Sequence, residues 1–357
     1  MWTEVLYFTR ATIDRYLEIQ GNMRGCVPSF CNELQGHSYD QHDRETDLLR
    51  QIVSYGPPDA YRGCPLKAAP FEYLRAGSID EACEVLQREG DAVKVIAGGQ
   101  SLIPMMAMRL VRPGWLLDIN EIAALKFIAL DGDAVRIGAC TRQSVAERDE
   151  GLASRVPLLR QALACVGHVQ TRNRGTIGGS LVHADPCAEL PLVARILGAR
   201  MVLRSTTAAR TIPADAFFSG PMMTVTDPNE CLEEVQWPVW GERRTGSAFA
   251  EISNRHGDFA MVSAAAQLAL GDDGRCVRAA FGLGGVGQTP LAFPRLAQQL
   301  VGTRLEDELV KSVAHDAAAE SEPGSDLFAT VPYRRQLASV LAARVIGAAR
   351  EQARSKG

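Results

Sequence analysis

Apolar residues first fall into a regular pattern near Ala69. In "SIDEACEVLQREG", Ile79, Ala82, Cys83, Val85 and Leu86 make one helical stripe. Ser78 is the expected N-cap, Glu81 three residues on completes a capping box, and Gly90 ends the helix. "AVKVIAG", "WLLDIN" and "AVRIGAC" read as buried strands. "VPLLRQALACVG" has helical spacing, and "ARMVLRS" with "ARTIPA" reads as a hairpin. Strands alternating with helices predict an α/β or α+β domain from about 68 to 240. A second region starts near Gly246. Its strands "SAAAQLAL" and "CVRAAFGLGGV" are joined by the turn "GDDGR", and helical stretches follow over 304–320 and 333–352. Residues 1–66 share neither pattern. They carry polar runs such as "GHSYDQHDRETD" and end in the turn-rich "YGPPDAYRGCP". They read as an N-terminal extension, irregular or loosely docked, or as a stretch upstream of the true translation start. The expected division is therefore 1–66, 67–243 and 244–357.

Composition narrows the function. A chain of 357 residues exceeds one small core. Its net charge of −4 is spread along the chain, which gives no electrostatic case for nucleic acid or an anionic membrane. No stretch approaches the ~18 apolar residues of a transmembrane helix. Glu4, Asp14 and Glu18 break any signal-peptide pattern, so a cytoplasmic protein is expected. Nine cysteines are scattered without a C-x-x-C, so neither a zinc site nor an iron–sulfur ligand set is visible. Reduced buried thiols are expected instead. His37 and His42 lie in a polar run without companion ligands and read as solvated. No Ser–His–Asp set and no catalytic carboxylate pair emerges from the spacing, so no catalytic residue is assigned.

The candidate chemistry lies in two glycine turns. After the strand ending at Ile96 comes Ala97-Gly98-Gly99-Gln100-Ser101-Leu102. Successive backbone N–H groups there can point into one concavity, no Cβ blocks an approaching ligand, and a hydroxyl adds a donor. That is an anion nest, suited to a phosphate or pyrophosphate. Neither a Walker loop nor G-x-G-x-x-G is present. A lone glycine pair also fits a ligand-free turn. The device repeats in "QTRNRGTIGGSLVHADPCAELP", with Gly175, Thr176, Gly178, Gly179 and Ser180. Two nests suit two phosphates. His183, Asp185 and Glu189 follow, and a downstream carboxylate suits a ribose hydroxyl. The plainer reading makes His183 and Asp185 a loop cap and Glu189 a solvated charge at a helix start.

With these residues in hand, "IAGGQSL" and "RNRGTIGGSLVHADPCAELP" resemble the FAD-binding subunit of molybdenum hydroxylases. That family includes the medium subunit of aerobic carbon monoxide dehydrogenase and the flavin domain of xanthine dehydrogenase. Its wider fold is shared with vanillyl-alcohol oxidase and p-cresol methylhydroxylase. The resemblance runs from "APFEYLRAGSIDEA" through "SAFAEISNRHGDFAMVSAAAQL" to "SDLFATVPYRRQLASVLAARVI" and leaves out the first 66 residues. It implies an α+β fold: a PCMH-type, two-subdomain FAD-binding domain, then a smaller α+β domain of antiparallel sheet plus helices. It implies that Ala97 to Leu102 hold the FAD pyrophosphate through backbone N–H groups, with Thr176, Gly178, Gly179 and Ser180 as the second wall. Relatives often carry Asn at position 180. Glu189 matches an Asp that binds the adenosine ribose, and Phe259 matches an aromatic, there Tyr, beside the isoalloxazine. Glu251 stands where several relatives have Lys, and Arg255 is a candidate to replace that charge.

The resemblance also implies a role. A flavin joins one-electron carriers to a two-electron acceptor. In such complexes a large subunit holds molybdopterin and oxidises substrate, and a small subunit holds two [2Fe–2S] clusters. The flavin subunit of this heterotrimer, itself open to dimerisation, passes electrons outward. "RHGDFA" leans toward an aromatic N-heterocycle as substrate, against carbon monoxide or an aldehyde. The alternatives are a stand-alone flavin oxidase of the same fold and a module that has lost FAD.

Overall fold

The computed structural model describes residues 67–356, so the reading of the N-terminal extension lies outside the described residues. The chain begins with β1 (Glu72–Arg75), α1 (Ile79–Glu89), β2 (Val93–Ile96), α2 (Leu102–Ala107) and β3 (Trp115–Asp118). The strands form a parallel sheet in the order β1–β3–β2. The expected cap is present: Ser78 Oγ accepts from the Glu81 N–H at 3.1 Å. Glu81 reaches back to the Gly77 N–H at 2.7 Å, one residue earlier than a regular capping box. The stripe of α1 is buried in one cluster with Val93, Leu117 and Ile119. Because the sheet is parallel, Ala76, Ala97 and Ile119 leave it at one edge, just past the carboxyl ends of the strands. Open parallel sheets bind their ligands at that edge.

A second unit contains β4 (Ile128–Asp131) and β5 (Ala134–Gly138), then α3 (Gln143–Arg148), α4 (Glu150–Arg155), α5 (Pro157–Cys165), α6 (Val169–Arg174), α7 (Ile177–His183) and α8 (Glu189–Leu197). It continues with β6 (Arg200–Arg204), β7 (Ala209–Pro213), the short α9 (Ala214–Phe217), β8 (Phe218–Gly220), β9 (Met223–Thr224) and β10 (Cys231–Pro238). The sheet order is β4–β5–β10–β6–β7, all antiparallel, with β8 and β9 paired apart. The β6–β7 hairpin is the one expected from the alternation. Val135, Ile137, Val235 and Trp237 share a core with Leu158, Leu159 and Leu163 of α5 and with Leu190, Leu192 and Val193 of α8.

The last unit is a meander of β11 (Arg244–Ile252), β12 (Val262–Leu270), β13 (Cys276–Gly284) and β14 (Leu291–Ala292), followed by α10 (Pro294–Leu300), α11 (Asp307–Glu320) and α12 (Val331–Arg354). Every residue of β12 is buried. Alternate side chains of a strand point to opposite faces. Accordingly Ala265 joins the core of the preceding unit, while Ala264 and Ala266 join the core built with α11 and α12. With both faces covered, the apolar residues of "SAAAQLAL" fall on both faces of the strand rather than alternating with polar ones. Gly246 lets α12 close onto β11, since a Cβ there would lie 2.5 Å from the Ala353 nitrogen. No helix among the described residues is long and apolar enough to cross a membrane.

Candidate functional site

The first glycine turn leaves the carboxyl edge of the parallel sheet. Ile96 ends β2, and Leu102 opens α2. Between them, the backbone N–H groups of Gly98, Gly99, Gln100 and Ser101 have no acceptor among the described residues. Gln100 turns its own amide back onto the Gly98 carbonyl at 3.3 Å. Ser101 is the N-cap of α2, yet its hydroxyl makes no cap bond. A run of unused donors at that edge is what an anion needs.

The two glycines of this turn do different things. Gly99 has φ +73°, where a side chain is strained, and its Cβ would point at Ile96 and Ile103 rather than across the donors. Gly98 is the contact residue: a Cβ there would lie 2.5 Å from the Arg174 carbonyl oxygen and 2.8 Å from Gly175 Cα. The two turns therefore touch backbone to backbone. Ala97 lies beside the second turn as well, 3.9 Å from where a Cβ on Gly179 would stand.

The second turn corrects the expectation of a matching nest. Most of its donors are used within the protein; the Thr176 N–H alone of those named has no acceptor among the described residues. The Gly175 N–H bonds Thr171 O at 2.7 Å, and the Gly178 N–H bonds Ala139 O at 2.9 Å. The Gly179 N–H bonds Thr176 Oγ1 at 3.0 Å, which makes Thr176 the N-cap of α7, and the Ser180 N–H bonds Thr176 O at 3.2 Å. Gly178 is glycine because α7 packs on Ala139, 2.6 Å from its would-be Cβ. Gly175 is likewise pressed on Gln143. Gly179 is exposed and Ser180 half-buried, so beside the first turn this one contributes a single free donor rather than a second run of them.

Residues that sequence reading passed over tie the turns together. Asn120, two residues beyond β3, donates Nδ2 to the Ala97 carbonyl at 2.5 Å. Its Oδ1 accepts from Arg142 Nη2 at 2.7 Å, and Arg142 Nη1 donates to the Arg174 carbonyl. Arg142 also forms a β-bridge with Thr176. The available signal was topological: Asn120 follows a strand whose carboxyl end shares the edge with Ala97.

Comparison with known proteins decides the family. Residues 69–240 match the FAD binding domain in molybdopterin dehydrogenase, and residues 247–349 match the CO dehydrogenase flavoprotein C-terminal domain. Caffeine dehydrogenase subunit beta of a Pseudomonas species is 34% identical over 80% of this chain and 97% of its own. The carbon monoxide dehydrogenase medium chain of Afipia carboxidovorans is 33% identical over 80% of this chain and 98% of its own. The solved quinoline 2-oxidoreductase of Pseudomonas putida 86 superposes with a TM-score of 0.77 at 35% identity, covering 80% of this chain and 99% of that one. The chain belongs to the FAD-binding subunits of the molybdenum hydroxylases. It is thus an oxidoreductase flavoprotein subunit with the α+β fold of that family, and its cofactor is FAD. The free donors of Gly98 to Ser101 fit the diphosphate of that cofactor.

The remaining predicted residues lie on other elements. His183 ends α7, and Asp185 caps the following turn by accepting from the Cys187 N–H at 2.8 Å, as the plainer reading expected. Burial moves both toward their neutral forms, His183 downward and Asp185 upward. Phe259 is 54% exposed at the end of the 253–259 loop. That loop rests on His168, the residue before α6: a Cβ on Gly257 would lie 2.5 Å from His168 Cε1, and His256 stacks on the same ring at 6.1 Å. Glu189 is not a solvated helix-start charge. It is 8% exposed, and burial, then the Glu251 carboxylate, pushes it up to about 8. Burial alone pushes Glu251 up to about 7, and its Oε2 is buried without a hydrogen-bond partner. Arg255, the candidate to restore the charge that relatives carry as lysine, is exposed on the 253–259 loop.

This carboxyl pair sets an expected pH dependence. Both groups stand above the ordinary 4.5, so the folded state holds protons that the unfolded state releases. Stability contributed by the protonated pair is complete below about pH 4.5 and is lost as pH rises through about 7 to 8. Glu251→Gln, neutral throughout, should flatten this fall and unfold at a higher temperature than wild type at alkaline pH. Thermal melts across the range check it; a difference between the proteins that does not vary with pH would contradict it.

Proposed function

We propose that this chain is the electron-transfer subunit of a molybdopterin-dependent hydroxylase. Bound FAD supplies the redox chemistry that joins one-electron iron–sulfur carriers to an external acceptor. The observation that carries this reading is the run of unused donors from Gly98 to Ser101, braced against the second turn at the carboxyl edge of a parallel sheet. The chain's own residues bind and orient the cofactor, and no side chain is assigned to substrate chemistry. The partners are a large molybdopterin subunit and a small subunit bearing [2Fe–2S] clusters, because this sequence has no cysteine pattern for clusters. The complex works in the cytoplasm. Residues 67–243 serve as the FAD-binding domain and 244–357 as the domain that brings the Phe259 loop to it. An aromatic N-heterocycle is the proposed substrate class. Relatives named for caffeine, quinoline and nicotine support it, beside others named for carbon monoxide and glyceraldehyde.

The isolated full-length chain should carry the visible spectrum of bound flavin, pass electrons from a strong artificial reductant to an acceptor dye, and turn over no substrate of the complex. Substrate oxidation by the isolated chain would replace this reading with that of a stand-alone oxidase.

A further inference from the structure

We propose that Arg142 is the positioning residue that sets the two glycine turns for a diphosphate, and that Arg142 and Arg174 together supply its counter-charge. The inference rests on the flavin-binding reading and deepens it. One hydrogen-bonded chain runs from the Ala97 carbonyl to Asn120, to the Arg142 guanidinium, and to the Arg174 carbonyl. Those carbonyls immediately precede Gly98 and Gly175, the residues at which the turns touch. In a trans peptide, the C=O of one residue and the N–H of the next point in opposite directions. Pinning the Ala97 carbonyl on Asn120 therefore aims the Gly98 N–H the other way and fixes the first of the free donors.

The electrostatics point to the same ligand. Arg172 and Arg334, the two buried arginines among the described residues, each have a carboxylate within ion-pair distance. Arg142 and Arg174 have none among the described residues. Asp118 and Glu121 lie farther from Arg142, and Asp118 is already engaged by the Tyr73 hydroxyl at 2.5 Å and by Asn120 at 2.7 Å. The Arg142 guanidinium is held below its usual range by burial and then by the charge of Arg174. Two neighbouring cations, one half-buried, are relieved by an anion between the turns. A guanidinium is also the group suited to hold two acceptors at fixed angles.

The test is FAD titration of the flavin-stripped full-length chain at low and high salt. The proteins are wild type, Arg142→Met, Arg142→Lys and Arg174→Gln, with circular dichroism to follow the fold. Arg142→Met and Arg174→Gln should each weaken FAD binding by about tenfold or more, the loss expected for a charge-assisted contact. Both should show a shallower salt dependence than wild type. Arg142→Lys should restore the salt dependence and leave the affinity reduced, because an ammonium keeps the charge without the fork. Arg174 is exposed, so its variant keeps the test decisive if substitution of Arg142 unfolds the chain. Wild-type affinity in Arg174→Gln, or weakened binding with an unchanged salt slope, would overturn the inference alone. Failure of wild type to take up FAD would overturn the flavin-binding reading and the inference with it.

Discussion

Gly98→Val should purify without FAD, while β11–β14 and α10–α12 stay folded. The reason is contact with backbone rather than with a movable side chain. A Cβ at 98 would lie 2.5 Å from the Arg174 oxygen and 2.8 Å from Gly175 Cα. Neither atom can rotate away, so the turns must separate and the donors of Gly98 to Ser101 lose their setting. The C-terminal core, built on β12, β13, α11 and α12, lies elsewhere and should keep its packing. The comparison protein is Gly99→Ala. There the backbone at φ +73° costs about 1–2 kcal/mol for a side chain, and the Cβ meets only the Ile96 and Ile103 side chains, at 3.2 and 3.1 Å. It should retain flavin at reduced affinity. Flavin-to-protein ratios after gel filtration separate the two, and a full complement of FAD in Gly98→Val would remove the first turn from the site.

Much of this was legible in the sequence where local signals govern. The capping residue and stripe of α1, the β6–β7 hairpin and the first glycine turn each follow from a few adjacent residues. Long-range pairing hid the rest. β1 pairs with β3 some forty positions on, and β10 inserts between β5 and β6 from far along the chain. Nothing in "EYLR" or "CLEEVQWP" announces those partners. The second glycine turn misled for a related reason. Gly175 and Gly178 look like ligand-facing glycines, yet they answer to Gln143 and Ala139, which only the fold brings near. Glu189 read as a carboxylate for a ribose or for water, and its pairing with Glu251 depends on the seam between two units. Arg142 and Asn120 carry no motif. Their place is visible only once the carboxyl edge of the parallel sheet is known.

The central claim, that electrons leave the complex through this chain, has a direct test in rapid-mixing spectroscopy. The assembled complex would be depleted of flavin and mixed with its substrate while cluster and acceptor signals are followed separately. On the proposed role, cluster reduction lies upstream of this subunit. Substrate should therefore reduce the iron–sulfur clusters at an undiminished rate, while transfer to the physiological acceptor stops and returns when FAD is restored. Clusters that stay oxidised after substrate is added would place the flavin upstream of them and rule out the relay role.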